Sequence, residues 1–299
     1  TELKHTFTEF AQRMKNDEMI TLAKFLAISG IILPMLPHKN LIPDINLTPY
    51  SIWLATVVVS GISYLSYLLK RYVFHESGVL VSGIIGGLYS STATISVLAR
   101  KSRKASEQEA NEYVAAMLLA VSMMFLRFMI LILIFSREIF TSIYPYLLIM
   151  SVVAAVVAWF IHSRHRRSKD MTDESEDEDS SNPLEFKVAL IFATLFVVFT
   201  VLTHYTLVYA GTGGLNLLSF VSGLSDITPF ILNLLQNTGS VAVLVVVACS
   251  MQAIISNILV NMFYALFFAG KGSKLRPWIL GGFGTVIGVN LVLLLFFYL

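Results

Sequence analysis

The sequence predicts an all-α, polytopic membrane protein with about nine transmembrane helices. Its 299 residues are 56% hydrophobic and only 13% charged, and the mean hydropathy is +0.74. A soluble domain usually carries about 25% charged residues, so this chain would have little polar surface to present to water. Its apolar residues stand in long continuous runs, which are typical of membrane helices and not of the short alternating strands of a β-barrel.

Composition and motifs speak against several classes of function. The net charge is +2 and no basic stripe indicates a nucleic-acid partner. The sequence has no phosphate-binding P-loop, zinc-protease helix motif or nucleophile elbow, so we predict no enzymatic activity. The single cysteine, Cys249, excludes an intrachain disulfide, and no His/Cys cluster suggests a zinc or copper cage. We expect no resident cofactor.

Residues 1–18 are predicted to form an amphipathic helix, because apolar residues recur at helical spacing with charged residues between them. The apolar positions are Leu3, Phe7, Phe10, Ala11 and Met14. This helix would lie along the membrane interface. Alternatively, it is a short lead-in that caps the first spanning helix.

Nine apolar segments follow, and each approaches or exceeds the about 20 residues that cross the hydrocarbon layer. They are residues 19–37, 48–70, 77–99, 112–136, 143–163, 187–210, 214–236, 239–269 and 277–299. A charged linker at 164–186, with seven acidic residues between Asp170 and Asp179, divides them into a first half (19–163) and a second half (187–299). We predict a solvated, flexible tether there; a regulatory or cation-sensing role is the alternative.

The two halves resemble each other. Residues 82–100 align without gaps onto 218–236, so that Gly87 meets Gly223 and Thr92 meets Thr228. The first copy would begin at about residue 48, and each copy would hold four helices. An even number of crossings predicts parallel repeats, related by an axis along the membrane normal. Chance similarity between apolar helices is the alternative.

Basic residues orient the chain only weakly if all nine segments cross. Nine Lys and Arg then fall on each face, or nine against six once the three in the amphipathic helix are set aside. By the positive-inside rule, the 100–110 loop and the linker are expected in the cytoplasm. We therefore expect a multi-pass protein of the cell inner membrane.

Asp226 is singular because it is the acidic residue that lies inside a long apolar segment. A charge at membrane depth is costly and by default marks a functional site. Glycine and proline, Gly223 and Pro229, interrupt the segment around it, beside Ser225 and Thr228.

The third segment has a matching interruption. Small and hydroxylated residues follow one another there: Gly86, Gly87, Ser90, Ser91, Thr92 and Thr94. Paired, broken segments at matching positions of two repeats are typical of transporter sites. Close helix packing through small residues is the alternative.

This pattern predicts a cation site with Asp226 as the metal ligand. A hard cation such as Mg²⁺ prefers oxygen ligands and keeps several waters, so one carboxylate with hydroxyls and carbonyls would suffice. A proton would need only the carboxylate. Gln252 and Asn257 in the eighth segment either complete the site or hold helices together.

Arg127 is the other charge placed deep in an apolar segment. Paired directly with Asp226, it would be a structural counter-charge, or a gate that opens when a cation takes the carboxylate. Alternatively, Arg127 marks a site for an anion or a lipid headgroup.

Several motifs resemble the C-terminal membrane module of MgtC/SapB-type proteins. They are Gly86-Gly-Leu-Tyr-Ser-Ser-Thr-Ala-Thr-Ile-Ser-Val-Leu-Ala-Arg100, Leu47-Thr-Pro-Tyr-Ser-Ile-Trp53, Met124-Phe-Leu-Arg127, Asn182-Pro-Leu-Glu185 and Ser222-Gly-Leu-Ser-Asp226. The resemblance implies a link to magnesium homeostasis and transport. It also implies an MgtC-like domain ahead of this module, so the chain is expected to be part of a longer protein.

The sequence thus predicts a membrane cation transporter or channel module, with Mg²⁺ or another divalent cation as substrate. The alternative is a non-transporting regulator of ion homeostasis or membrane energetics that acts through protein partners. A homodimer is also expected, because the glycine-rich face at Gly281–Gly288 suits helix association.

Overall fold

The structure is a computed structural model that describes residues 16–74, 78–103, 105, 107–164, 186–236, 241–270 and 275–298. Residues 1–15 of the predicted amphipathic helix and most of the charged linker lie outside this part of the chain. The described residues are helical apart from connecting loops and one isolated bridge between Ile42 and Ile45. The predicted all-α class is therefore confirmed.

Nine helices follow one another in the described part of the chain, and α2 ends in one π-helical turn, Leu69–Val73. They are α1 Asn16–Met35, α2 Pro49–Leu68, α3 Val79–Lys101, α4 Glu107–Phe135, α5 Arg137–Ser163, α6 Phe186–Ser222, α7 Thr228–Gln236, α8 Val243–Ala269 and α9 Arg276–Tyr298. All but α7 are long and apolar enough to cross a membrane. The protein is thus a multi-pass membrane protein.

The third predicted segment, α3, does not cross, because it folds back on itself. Ser90 leaves the helical conformation (φ −158°, ψ 107°). A Cβ built on Gly86 would lie 2.5 Å from the hydroxyl oxygen of Thr94, whereas residues eight apart in a continuous helix are about 12 Å apart. Residues 79–89 and 91–101 therefore form a re-entrant hairpin with its tip at Ser90. We call it the first hairpin, and the membrane face on which it begins and ends face A.

The sixth and seventh predicted segments are separated by a sharp turn at Gly211. This glycine adopts φ 59° and ψ −153°, a conformation that L side chains rarely adopt. A Cβ built on Gly214 would lie 2.8 Å from the methyl of Thr206, eight residues earlier. The crossing part of α6 therefore ends at residue 210, and 212–222 runs back into the membrane.

Residues 212–236 form a second hairpin that enters from the opposite face, face B. Its first arm runs alongside α8, where the Ser219 hydroxyl donates to Gln252 Oε1 at 3.0 Å. The chain leaves the helix at 223–227 and returns as α7. At the end of α7, the Gln236 carbonyl accepts from Asn46 at 3.1 Å, just before α2 begins. We call 212–236 the second hairpin, with its tip at Asp226.

Three contacts assign the ends of the crossing helices to the two faces. Arg103, just after the first hairpin, donates to the Phe267 carbonyl at 3.2 Å, so α8 ends at face A. The Tyr146 hydroxyl donates to Asn290. The two residues therefore lie at the same depth in the membrane, and α5 and α9 run in opposite directions. Glu18 at the start of α1 accepts from Tyr67 at 2.9 Å and pairs with Arg71 at 3.0 Å, near the end of α2. α1, α4, α6 and α9 run from A to B, and α2, α5 and α8 run from B to A.

The two halves pack their hairpins in the same way, at a constant offset of 136 residues. In the first half, a Cβ on Gly87 would lie 2.5 Å from Cα of Ala120 in α4. In the second half, a Cβ on Gly223 would collide with Ser256 in α8. Each half consists of one crossing helix, one hairpin and two further crossing helices. The matched sequence segments therefore occupy equivalent places in a duplicated structure.

The relation between the halves is inverted, so the predicted parallel arrangement is wrong. A hairpin leaves the membrane on the face where it entered, and each half therefore crosses three times. An odd number of crossings turns the second half over relative to the first. The count of four crossings per copy failed because the third and seventh segments are long enough to cross, although the hydropathy of the third, 1.3, is below the 1.6–2.6 of the other candidate spans.

The hairpins also change the distribution of basic residues, which the sequence placed almost evenly. Among described residues at helix ends, face A carries Lys70, Arg71, Arg100, Lys101, Arg103, Arg164 and Arg276, and face B carries Lys39 and Arg137. The near tie arose because two segments that fold back were counted as crossings.

Candidate functional site

A cavity of about 480 Å³ lies where the tips of the two hairpins meet. Ser90 from the first tip and Asp226 from the second both line it, with walls from α2, α4, α6 and α8. From the tips it extends along α6 to Val188 and along α8 to Tyr264, towards face A. Each entering arm of 11 residues is about 16 Å long, so the tips meet near the middle of a hydrocarbon layer about 30 Å thick.

Asp226 lies at the second tip, where it caps a helix and lines the cavity. Its Oδ1 accepts a hydrogen bond from the backbone N–H of Thr228 at 2.9 Å, which caps the N-terminus of α7. The side chain is otherwise exposed to the cavity. Its second oxygen has no partner among the residues that the structure describes, so one carboxylate oxygen is available to a ligand.

Backbone carbonyls at both tips are released from helical hydrogen bonding and are held by side chains. Asn257 in α8 donates from Nδ2 to the carbonyls of Gly223 and Ser225, each at 3.3 Å. Arg127 in α4 donates from Nη1 to the Tyr89 carbonyl at 2.8 Å. Tyr89 and Ser225 stand 136 residues apart, so the equivalent carbonyl of each hairpin is bound by a crossing helix of its own half.

Arg127 is not paired directly with Asp226, as one interpretation of the sequence proposed. The two side chains line the same cavity, but the one ion pair within 4.0 Å among the described residues joins Arg71 to Glu18. The Nε of Arg127 is buried and finds no acceptor in the described part of the chain. The cavity therefore holds two opposite charges that are not neutralised by direct contact.

Most residues predicted for the site do border the cavity. The structure brings together Asp226, Ser225, Thr228, Ser90, Ser91, Thr92, Asn257, Arg127 and Gly87. The others, Thr94, Gln252, Gly86, Gly223 and Pro229, are not among the residues that line it.

The residues outside the cavity hold the hairpins together. Gln252 accepts from Ser219 and so fixes the second hairpin to α8. Gly86 and Thr94 face each other between the arms of the first hairpin. These are packing roles, which the sequence left open as the alternative.

Pro229 acts differently from the prediction. The sequence predicted that Pro229 interrupts a long apolar segment. Instead, it is the second residue of α7, where its missing N–H has no intrahelical partner to lose. The Ser225 carbonyl is available to Asn257 because the chain has already left the helix at 223–227.

Several residues that line the cavity were not predicted from the sequence. Ser60 and Ser63 of α2 and Tyr264 of α8 contribute hydroxyls, and α6 supplies an apolar wall of Val188, Ile191, Phe192 and Leu195. The serines stand three apart on one face of α2, a spacing that could have indicated a polar stripe. Nothing in the sequence distinguishes the apolar wall from any other face of α6.

The arrangement suits a partly hydrated cation or a proton. Among the described residues no group of three or more His, Cys, Asp or Glu side chains approaches ligating geometry. A divalent ion at Asp226 would therefore keep several waters and complete its shell with hydroxyl and carbonyl oxygens.

Comparison with known proteins gives a family but no activity. A family model described as "Domain of unknown function (DUF4010)" matches residues 57–269, which include both hairpins and both cavity charges. An uncharacterised protein of Aquifex aeolicus (strain VF5) is 27% identical over 221 residues, which is 73% of this chain and 94% of the relative. No solved structure matches the chain. Because the family model covers well over half of the chain, the protein belongs to the DUF4010 family.

Proposed function

We propose that this protein is a cation transporter or channel module of the inner membrane, with Asp226 as the charged ligand of the transported ion. One observation carries the proposal: two hairpins enter from opposite faces, and their tips meet at a mid-membrane cavity with a free carboxylate oxygen.

Membrane physics supports transport over a purely structural role. Non-helical backbone at membrane depth is tolerated where it lines a water-filled cavity or is buried in protein. Broken segments at the interface of inverted repeats are where secondary transporters bind substrates. A carboxylate exposed to such a cavity is costly unless it serves a positive species.

Mg²⁺ or another divalent cation is the first substrate to test. A single carboxylate, with carbonyls and hydroxyls around it, fits an ion that keeps much of its water. The resemblance to the MgtC/SapB-type membrane module is the second reason for this choice. A proton bound at Asp226 is the other cation that the same geometry would serve.

The cavity would face the cytoplasm in this conformation. It extends towards face A, where the basic residues of the described helix ends are concentrated, and cytoplasmic ends carry the excess of Lys and Arg. In a carrier, a second conformation would open the same tips towards face B.

The test measures Mg²⁺ uptake into proteoliposomes that contain the purified full chain and an internal Mg²⁺ indicator. We expect Asp226→Asn to abolish uptake, because the amide keeps the size of the side chain but loses its charge. Asp44→Asn is the matched control. Asp44 is exposed in a loop at face B with φ 64°, a conformation that asparagine adopts well.

A non-transporting regulator is the second candidate, and the bond from Thr228 to Asp226 favours it, because a helix cap is a sufficient structural reason for the carboxylate. Uptake that is unchanged in a folded Asp226→Asn protein, or absent from both proteins, would support the regulator. A homodimer is part of either proposal. Gly281, Gly284 and Gly288 fit it, because a Cβ at each would meet nothing within 4 Å in the described chain.

A further inference from the structure

We infer that the same cavity contains a second subsite, centred on Arg127, that binds a soluble oxyanion, either a carboxylate or a phosphate. The protein would thus bind a cation at Asp226 and an anion at Arg127 together. The coupling between the two ions rests on the proposed function. The anion subsite itself rests on Arg127 and its surroundings.

The first feature that points to an anion is the charge of Arg127. Its guanidinium lies deep in α4 and lines the cavity, with Nη1 on the Tyr89 carbonyl and Nε without an acceptor. No carboxylate of the described chain lies within 4.0 Å of it. A guanidinium at membrane depth is costly without a counter-charge, and its planar fork matches the oxygens of a carboxylate or phosphate.

The second feature is the direction of the helix ends at the tips. The returning arm of the first hairpin begins at Ser91, and α7 begins at Thr228, both of which line the cavity. Helix N-termini carry a partial positive charge and favour anions. At α7 the carboxylate of Asp226 already occupies this position. At the first tip the corresponding place is taken by the Ser90 hydroxyl, which accepts from Ala93 at 3.3 Å and carries no charge.

The third feature is the charge balance of the cavity. Asp226 and Arg127 together sum to zero, so a cation on Asp226 leaves the site positive. In a medium of low dielectric constant, two opposite charges several ångströms apart stabilise each other far more than they do in water. Binding of the cation should therefore strengthen binding of the anion, and linkage requires the reverse effect to be equal.

The fourth feature is the size and lining of the cavity. A cation with six waters fills about 180 Å³, at about 30 Å³ per water, and the cavity holds about 480 Å³. The remaining space is bounded on one side by Ile191, Phe192 and Leu195 of α6. This room suits an anion with a small carbon skeleton better than a second bare ion.

The experiment is calorimetric titration of the full chain in nanodiscs with two probes, succinate and inorganic phosphate, each with and without Mg²⁺. We expect saturable binding of at least one probe, strengthened about tenfold by Mg²⁺. Arg127→Gln should weaken it at least about tenfold, the range for loss of a hydrogen bond to a charged group. Arg127→Lys, which keeps the charge and loses the fork, should fall between. The matched control is Arg100→Gln, an exposed arginine over Phe268 at face A.

The two probes separate a carboxylate from a phosphate ligand. Unchanged binding in Arg127→Gln, or no saturable binding of either probe by the wild type, overturns the anion subsite. Displacement of both probes by phosphatidylglycerol alone overturns the anion subsite as well, because the occupant would then be a lipid headgroup. If Arg127→Gln does not fold, as judged by gel filtration and melting temperature, Arg127→Lys decides. If Arg127→Lys binds the probes with the affinity of the wild type, that result counts against the subsite.

The outcomes also separate this inference from the proposed function. Mg²⁺ uptake that depends on Asp226, with neither anion bound, leaves the cation proposal standing and overturns the inference. Anion binding that depends on Arg127, with uptake indifferent to Asp226→Asn, does the reverse. Asp226→Asn should remove the effect of Mg²⁺ on anion affinity, because Mg²⁺ then has no carboxylate to bind in the cavity.

Discussion

The two hairpins share one scaffold but carry different chemistry. Both reach about halfway across the membrane, and both pack a glycine, Gly87 or Gly223, against the next crossing helix at equivalent positions. The first tip turns at the single residue Ser90, whereas the second is open over 223–227 and presents Asp226. Duplication thus explains why two similarly packed hairpins enclose the cavity, and divergence of their tips explains its charge.

The side chains that hold the tips are not related by the repeat. Arg127 holds the first tip, but its equivalent in the second half is Phe263, which is 60% exposed on the outside of α8. Asn257 holds the second tip, but its equivalent is Val121, which is fully buried. Each tip therefore acquired its own donor, and the guanidinium is present on one side of the cavity only.

The largest effect is expected when the charge difference between the tips is removed. Asp226→Ser would make both tips hydroxylic, and we expect Mg²⁺ uptake to fall at least about 100-fold, beyond the 10–100-fold typical of an outer-shell partner. Uptake into proteoliposomes measures it. Ser90→Asp added to Asp226→Ser should recover part of the activity, because both tips border the same cavity. If the double variant recovers nothing although it folds, the tips are not interchangeable.

A methyl group added at the equivalent glycine should destabilise the protein equally in both hairpins. In Gly87→Ala the new methyl would meet the backbone of Ala120, and in Gly223→Ala it would lie 2.6 Å from the Ala253 carbonyl. Overpacking of this kind costs about 1–3 kcal/mol, which should appear as a lower melting temperature in detergent.

Gly61→Ala serves as the control for this pair, because its added methyl meets nothing within 4 Å in the described chain. It should be neutral or slightly stabilising, since alanine is the better helix former. A pair of hairpin variants as stable as this control would mean that the close packing of the arms is not required.

A smaller effect is expected from Asn257→Ala, which should loosen the second hairpin and leave the first intact. Asn257→Ala leaves the Gly223 and Ser225 carbonyls without their donor, at a cost of about 1–3 kcal/mol for an unsatisfied buried group. We expect faster hydrogen exchange at 219–227 and no change at 86–94. Equal acceleration in both hairpins would show that the tips are coupled more tightly than their separate donors suggest.

The smallest effect is expected at the foot of the second hairpin. Asn46→Ala removes an exposed hydrogen bond to the Gln236 carbonyl, and water can replace it. The loss should be about 0.5–1.5 kcal/mol at most, and Mg²⁺ uptake should not change. A large loss of uptake would indicate that the loop before α2 controls the movement of the second hairpin.

Much of the candidate site followed from the sequence because its signals are local. A carboxylate in an apolar run, hydroxyls beside glycines, and the alignment of 82–100 with 218–236 are all visible without coordinates. They identified Asp226 and its companions on both tips. Ser60, Ser63 and the wall of α6 were missed because serine and apolar residues are common on any membrane helix.

The fold-back of the hairpins was not visible for a related reason. Residues 77–99 and 214–236 are as long as true spans, and the first of them still passes as a candidate span with a hydropathy of 1.3, below the 1.6–2.6 of the others. Hydropathy does not record the direction of a chain. One residue outside the helical conformation, Ser90, reverses the first segment. The predicted parallel relation of the halves and the predicted distribution of basic residues were then wrong as well, because each depends on how often the chain crosses the membrane.

By itself, the sequence determined that this chain spans a membrane and that one carboxylate lies inside a long apolar segment, and it predicted the duplication, because composition and spacing carry these properties directly. Only the tertiary structure decided that the halves are inverted, that the tips meet in one cavity, and that Arg127 binds a carbonyl while Asp226 caps a helix. The reason is that packing between distant segments sets the path of an apolar chain, and many paths satisfy the same pattern of hydropathy.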